Sequence, residues 1–388
     1  MNTPSPPKLP TSVSANPRLS SWLKFSSAGH VTVSPGKVEI GQGIVTALAQ
    51  IAADELDIDL SRMRMHRAST ASSPNEGVTS GSLSIQQSGR ALRHLCAEVR
   101  RIFLEKASDR LGTEIGMLEI EDGTIKGPGN VRTSYWELAD EVSLERDASP
   151  DAVWKPIAQR VLAGRSVQRI DIPDKVFAKA RFLHDRALPG TLHGRVLRPE
   201  FSGARLMSLQ EDGARAIPGL VAIVRNGSFS GVICETEHAA EAAVKALRKG
   251  ATWSGGDALP DEDDLASFLK SQPAESTIID TRSTASPAAI VRTIRRQYIR
   301  PYIAHASMAP SCALAQWNGG HVHVWTHSQG VYLLRTDLAL VLRLPAEDIT
   351  VEHMESAGCY GHNGADDVTC DAALLARAVP GRPVRVQW

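Results

Sequence analysis

The chain has 388 residues, 43 Lys and Arg against 43 Asp and Glu, with 42% hydrophobic and 5% aromatic residues, the profile of a globular protein long enough for two or three domains with real cores. A formal net charge of zero with both signs interspersed lacks the electrostatic footprint of a protein that grips nucleic acid or an anionic membrane surface. Both partner classes drop out, and no stretch approaches the roughly 20 apolar residues needed to span a bilayer.

Residues 1–20 are rich in Pro, Ser and Thr without an apolar signal core and are expected to be disordered. Cys96, Cys234, Cys312, Cys359 and Cys370 lie far apart with no C-x-x-C pair, which fits reduced thiols in a cytoplasm rather than a disulfide scaffold or a zinc ribbon. Residues 31–40 alternate as a strand does, Gly41-Gln42-Gly43 follows, and Leu48, Ile51, Ala52 and Leu56 then recur at helical spacing over residues 44–56. The loop Ser73-Pro74-Asn75-Glu76-Gly77 and the small-residue run Thr79-Ser80-Gly81-Ser82 introduce a second helix over residues 83–110. Its buried stripe is expected to be Ile85, Leu92, Leu95, Val99, Ile102 and Phe103. Asp122-Gly123 predicts a hairpin within residues 118–125, and residues 141–154 read as linker or as helix plus loop.

After residue 165 the pattern changes. Short apolar strands over residues 176–182, 191–197, 221–225 and 231–235 surround a helix over 237–249, giving a compact α+β module across 165–255. Residues 256–287 read as an acidic, then Ser/Thr-rich, crossover linker. Residues 288–388 return to strand-rich alternation, as in His321-Val322-His323-Val324-Trp325. A helix is expected over 331–342, a strand over 349–353, a glycine-dense turn from Gly358 to Gly364, a helical run over 366–378 and a strand at 385–388.

Two glycine turns are candidates for ligand contact. At Gly41-Gln42-Gly43 the backbone can approach a ligand closely, and the start of the next helix offers unpaired N–H donors to a phosphate or oxo group; an ordinary structural turn is the plainer alternative. The loop Gly358-Cys359-Tyr360-Gly361-His362-Asn363-Gly364 can form a nest of N–H groups that binds anions without a basic side chain. It lacks the Gly-Lys-Ser/Thr ending of a phosphate loop and the dinucleotide spacing, which argues against nucleotide triphosphate chemistry. His321, His323 and His327 lack a carboxylate or cysteine to complete a metal-ligand spacing. No G-x-S-x-G elbow supports a serine hydrolase, and Asp366-Asp367 and the carboxylates within residues 261–264 read as helix N-termini or solvated linker.

Placed in order, the segments resemble a known family. Val38-Glu39-Ile40-Gly41-Gln42-Gly43-Ile44, Gln50-Ile51-Ala52-Ala53-Asp54-Glu55-Leu56 and the run from Ser73 to Ser82 are similar to one molybdopterin-binding block of the xanthine dehydrogenase/aldehyde oxidase family of molybdenum hydroxylases. The run from Ile172-Pro173 to Phe201, with Ala216-Ile217-Pro218-Gly219-Leu220-Val221, resembles that family's a/b hammerhead domain. Ala304-His305-Ala306-Ser307-Met308-Ala309-Pro310-Ser311, Trp325-Thr326-His327-Ser328-Gln329, Ala357 to Gly364 and Gly381-Arg382-Pro383-Val384-Arg385 resemble the other molybdopterin block. The Gly-Gln-Gly block precedes the hammerhead, an order similar to the isoquinoline 1-oxidoreductase and nicotinate dehydrogenase branch.

The resemblance covers about residues 21–388 and implies an α+β fold in which a molybdopterin-binding segment (21–150) and a second, truncated one (288–388) flank a hammerhead domain (165–255). It implies a molybdenum–molybdopterin cofactor in its cytosine dinucleotide form, hydroxylation of an aldehyde or an N-heteroaromatic with water-derived oxygen, and a glutamate base. Electrons would leave through a 2Fe-2S partner subunit, onward to a cytochrome c. Residue by residue, Gln42 would hydrogen-bond the pterin, with Gly41 and Gly43 allowing close approach. Thr79, Ser80, Gly81 and Ser82 would cradle its phosphates, and Gly358, Cys359, Tyr360 and Gly361 would lie beside the metal's oxo group, with the Tyr360 amide as donor. His305 and Gln329 would order these contacts from behind.

The sequence departs from the family pattern twice. Relatives often carry Met-Glu-Pro where this chain has Met308-Ala309-Pro310, and the family's Gly-x-Gly-Glu segment, which holds the catalytic glutamate, does not occur in this sequence. The chain is therefore expected to be the N-terminal half of a molybdopterin-binding subunit, completed by a second half that supplies the base, and to have no hydroxylase turnover alone. The alternative is a non-catalytic remnant or pterin-binding module.

Overall fold

Residues 8–257, 259–281, 292, 294–364 and 368–388 are described by a computed structural model of the chain. The first helix, α1 (Thr11–Ala15), and the hairpin β1 (Leu23–Ser26) and β2 (His30–Val33) already depart from expectation. Of the N-terminal stretch expected to be disordered, residues 8–20 are folded: Val13 and Leu19 are fully buried, and the amides of Leu19 and Ser20 donate to Arg146 O at 2.9 Å and Leu144 O at 3.1 Å. Two isolated apolar residues carry no periodicity, so only their distant partners reveal the packing. The strand expected over 31–40 ends at Val33. Beyond Pro35, which has no N–H to give a ladder, the chain is held by residues 76–79: Gly36 N donates to Glu76 Oε2, the buried Lys37 ammonium to the carbonyls of Glu76 and Val78, and Val38 N to Thr79 Oγ1 at 2.9 Å.

Helix α2 (Ile44–Leu56) forms where the spacing places it, and β3 (Met63–Met65) then joins β2 in parallel. The second long helix divides. Residues 85–89 make a π turn and α3 (Arg90–Leu111) follows. The wider turn shifts the helical register, so Ile85, expected in the buried stripe, is 47% exposed while Leu92, Leu95, Val99, Ile102 and Phe103 are buried. Strands β4 (Glu119–Glu121), β5 (Thr124–Lys126) and β6 (Arg132–Ser134) form a small antiparallel sheet around the Asp122-Gly123 turn, followed by α4 (Tyr135–Leu138). Residues 141–154 contain no helix; Leu144 and Ala148 pack into the same core as Trp22, Leu48, Phe103 and Tyr135.

The segment expected as strand 176–182 follows a short helix, α5 (Ile172–Val176), and makes only an isolated bridge from Phe182 to Glu355. Pro173 suits a first helical turn, and the Lys175 ammonium reaches back one turn to Asp171. Next come β7 (Leu192–Leu197), β8 (Arg205–Leu209), α6 (Asp212–Arg215), β9 (Leu220–Asn226), β10 (Phe229–Cys234), α7 (Glu237–Gly250) and β11 (Ala251–Ser254). Strands β8 and β11 carry no clear alternation, and the sequence pattern does not foresee them. The described part of the linker holds one short helix, α8 (Leu265–Ser271).

The last part contributes β12 (Cys312–Asn318), β13 (His321–Thr326), α9 (Val331–Leu342), β14 (Ile349–His353), α10 (Val368–Ala376) and β15 (Val384–Gln387). The expected helix start at Asp366 lies outside the described residues. One seven-stranded sheet runs β14-β13-β12-β15-β7-β10-β9. Strand β15 pairs antiparallel with β12 and parallel with β7, so β7, β10 and β9 of the middle module extend the sheet of the last segment, while β8 and β11 pair separately as a two-stranded sheet. Helix α10 lies against that seam, where a Cβ on Gly194 of β7 would stand 2.7 Å from Leu375. A larger residue there would require Leu375 and Val386 to move.

Candidate functional site

Three segments far apart in sequence meet at one cavity of about 500 Å³. Its wall contains Gln42 and Gly43 from the turn before α2, Thr79, Ser80, Gly81, Ser82 and Ser84 before the π turn, and Gln329 and Gly361 from the last segment, with Ile40, Ile44, Ala47 and Ile85 as the apolar floor. Among the described residues no Lys, Arg, His, Asp or Glu lines it. Of the residues expected at a ligand site, Gly41, Gly358, Cys359 and Tyr360 stand outside this wall.

The two glycine-rich helix entries differ in what they leave free. At the first, three amides are already taken: the buried Glu39 carboxylate accepts from Gly41 N and Gly43 N, each at 2.9 Å, and from Val45 N at 3.2 Å. The Glu39 carboxylate thus sits at the positive end of α2, leaving fewer free donors there than the sequence suggests. The Gln42 amide is also largely committed to its own turn, accepting from Ile40 N at 2.7 Å and donating to Val38 O at 3.0 Å. Gly43 has φ +81°, and a Cβ there would lie 3.5 Å from the Arg169 guanidinium.

The second entry is open. Among the described residues, the amides of Ser80, Gly81 and Ser82 and the two serine hydroxyls donate to no protein acceptor, and Gly81 (φ 64°) and Ser82 (φ 57°) take the left-handed conformation. Ser80, Gly81 and Ser82 are exposed at the cavity mouth. Thr79 is different: it is buried, and its hydroxyl accepts from Val38 N.

Gln329 joins the segments. Its carbonyl accepts from Thr79 N at 2.8 Å, its Nε2 donates to Thr79 O at 2.8 Å, its own N–H donates to Asn363 O at 3.2 Å, and its Oε1 accepts from the buried Cys359 thiol at 3.2 Å. Gln329 is 4% exposed, so its polar atoms are spent on this junction. His353 ties the first segment to the last in the same way, with Nε2 2.9 Å from Glu39 O and Nδ1 3.1 Å from Ser328 O. Burial pushes its imidazole below the usual range, against the pull of those two carbonyls.

Tyr360, expected beside the metal, has φ 55° and a side chain 61% exposed. His305 is exposed and stands over the loop, its ring centroid 5.4 Å from that of His362. His321 meets Thr350 Oγ1 at 3.0 Å, His323 stacks on Trp325 at 4.0 Å, and His327 Nε2 accepts from Cys312 N at 3.0 Å; these three are engaged apart from the cavity. Sequence reading missed the roles of Glu39 and Arg169, because a carboxylate inside a glycine motif and an arginine in a loop carry no periodic signal.

The donor set suits an anionic, hydroxyl-bearing ligand: free backbone N–H groups and serine hydroxyls at one end, a neutral amide at the other, and an apolar floor for a ring system. The comparisons with known proteins agree with that class. Residues 6–166 and 277–388 each match a family model described as a molybdopterin cofactor-binding domain. The chain belongs to the xanthine dehydrogenase family of molybdopterin-binding subunits.

Among its relatives, a nicotinate dehydrogenase subunit of Pseudomonas putida is 38% identical over 99% of this chain and 33% of its own length. The aldehyde oxidoreductase molybdenum-binding subunit PaoC of Escherichia coli is 27% identical over 60% of this chain and 35% of its own length. The isoquinoline 1-oxidoreductase beta subunit of Brevundimonas diminuta is 23% identical over 95% of this chain and 54% of its own length. The chain thus spans a third to about half of these relatives. Among the described residues no helix is long and apolar enough to cross a membrane.

Proposed function

We propose that the cavity holds the molybdenum–molybdopterin cofactor, in its cytosine dinucleotide form, within the molybdenum-binding subunit of a hydroxylase. The observation that carries this reading is the convergence of the residue 42–43, 79–84 and 329–361 segments on one cavity whose described lining residues carry no charge. Ser80, Gly81 and Ser82 would hold the cofactor's phosphates through N–H and hydroxyl donors, and Gln42 retains one Nε2 hydrogen for the pterin. Thr79, Gln329 and Cys359 also fix the walls against each other. Gly361 brings the backbone of the last segment to the cavity edge, beside Gly358, Cys359 and Tyr360 at the side assigned to the metal. When bound, the cofactor supplies oxidation of an electron-poor carbon with water-derived oxygen.

The substrate class in this reading is an aldehyde or an N-heteroaromatic, as the names of the relatives suggest. Electrons pass to a 2Fe-2S subunit and onward to a cytochrome c, in the cytoplasm. The Gly-x-Gly-Glu segment does not occur in this sequence, so the base comes from further polypeptide and this chain alone does not turn over. The test is elemental analysis for molybdenum, with pterin release, on the protein purified from its native host with whatever accompanies it. Equimolar molybdenum with a second large chain and an iron–sulfur chain is expected. No molybdenum in a host that makes the cofactor would overturn the reading.

A further inference from the structure

Residues 169–181 lie between the two stretches that match molybdopterin-binding models, 6–166 and 277–388, yet their charged side chains reach into both. Arg169 donates to Gly41 O at 3.0 Å, stands 3.7 Å from the Glu39 carboxylate and makes a two-pronged pair with Asp171 at 2.9 and 2.6 Å. Lys175 bridges Asp171 and Glu355, at 2.6 Å to each. Arg181 closes the series on the other oxygen of Glu355 at 2.6 Å. The series reads Glu39, Arg169, Asp171, Lys175, Glu355, Arg181, with the sign alternating at every step.

We infer that this chain of ions is a positioning clip that sets the Gly41-Gln42-Gly43 turn and the loop beginning at Gly358 at a fixed separation across the cofactor cavity. Glu39 holds three amides of the first turn. Glu355 lies three residues before Gly358, and its backbone carbonyl also accepts from Leu183 N at 2.8 Å. The anions are buried, Glu39 at 3%, Asp171 at 1% and Glu355 at 6% exposure; Asp171 is held by cations of its own segment, whereas Glu39 and Glu355 find theirs only when residues 169–181 dock against each of them. Packed apolar side chains would stabilise such a junction as well or better. Forked, short, charge-assisted bonds add fixed direction and distance, which a binding site needs to within about half an ångström. The function of the clip rests on the cofactor reading; its mechanical coupling does not.

Lys175→Met is the informative variant, because it severs the middle of the series while leaving Asp171 on Arg169 and Glu355 on Arg181. The chain is expected to fold with a similar melting temperature, and amide exchange should rise about tenfold at Gly43 and at Ala309, the donor to Ala357 O, a coupling of ordinary size for a shared ion network. Exchange in the α3 core should not change, and Lys175→Arg should restore the wild-type pattern. Exchange that rises only next to residue 175, or that rises uniformly with lost stability, would overturn the clip. Molybdenum retained after dialysis of chain made in a cofactor-producing host gives the second readout: wild type and Lys175→Arg keep it and Lys175→Met loses most of it. Full retention by Lys175→Met overturns the link to the cofactor, whereas a wild-type chain that never holds molybdenum sinks the cofactor reading and leaves the exchange result to decide the coupling.

Discussion

Thr79 and Gln329 exchange backbone and side-chain hydrogen bonds across 250 residues of sequence: Thr79 N donates to Gln329 O and Gln329 Nε2 donates to Thr79 O, both at 2.8 Å. This reciprocal pair joins the two molybdopterin-matching stretches at the rear of the cavity, and Tyr332, one turn on, reinforces it by donating to Ser73 O. Replacing Gln329 by Leu keeps the volume and leaves Thr79 O and the Cys359 thiol without partners in a buried setting. The expected loss is about 1–3 kcal/mol of stability, read as a lower urea midpoint at unchanged slope. Cofactor content should fall with it, since the walls lose their register. An unchanged midpoint would show that the pair is dispensable.

The Glu39 plug gives a second expectation. Glu39→Ala strands the amides of Gly41, Gly43 and Val45, and should cost about 3 kcal/mol, the scale of hydrogen bonds to a buried charge. It also vacates the positive end of α2. Added inorganic phosphate should therefore raise the melting temperature of Glu39→Ala more than that of the wild type, which carries its own anion there. Equal shifts for the two proteins would contradict the plug.

Ser80 and Ser84 test the open entry. Neither hydroxyl bonds to another protein group among the described residues, and the Ser80→Ala/Ser84→Ala double variant should stay within about 0.5 kcal/mol of wild type in stability. If these hydroxyls hold phosphate, molybdenum and pterin content drop by about tenfold, the worth of one charge-assisted hydrogen bond. Retained cofactor in a stable double variant would move the phosphate contacts to the backbone amides and the Ser82 hydroxyl.

Acid should unlock the ion series. Burial pushes the Asp171 carboxyl up, but the hydrogen bonds from Arg169 and Lys175 outweigh it and hold the group far below the usual carboxylate range. Its folded pKa is thus depressed relative to the unfolded chain. The associated stability is present above the unfolded value, about 4, and is lost progressively as pH falls from there toward the folded value. Glu76 runs the other way, because burial raises its pKa and its contribution fades as pH rises. Comparison with Asp171→Asn removes that background: urea midpoints measured from pH 7 down to about pH 2.5 should converge for the two proteins in acid. Parallel curves would mean that Asp171 does not carry the linkage.

Much of the scaffold was legible in the sequence. Helix α2, the hairpin at Asp122-Gly123, helix α9 and strand β14 form where periodicity and turn chemistry place them. The failures share one cause. Residues 34–40 look like the continuation of a strand but are held by side chains from Glu76 and Thr79. Residues 141–154, read as linker or as helix plus loop, carry no helix, and what the reading missed is that Leu144 and Ala148 are drawn into the core around Trp22. Ile85 reads as core and faces the cavity because a π turn displaces the register.

Residue types and local spacing were enough to mark the segments with the chemistry to make a site: two glycine turns at helix starts, a hydroxyl-rich run, and no Lys or Arg among them. Which donors remain free was decided by packing between distant segments. Gly41 and Gly43 lose their N–H groups to Glu39, while Ser80, Gly81 and Ser82 keep theirs. The same packing makes Arg169, Asp171 and Lys175 span the cavity's two sides. A hydrogen-bond donor is free or spent according to where distant acceptors end up, and that depends on how long-range segments pack, which no local pattern encodes.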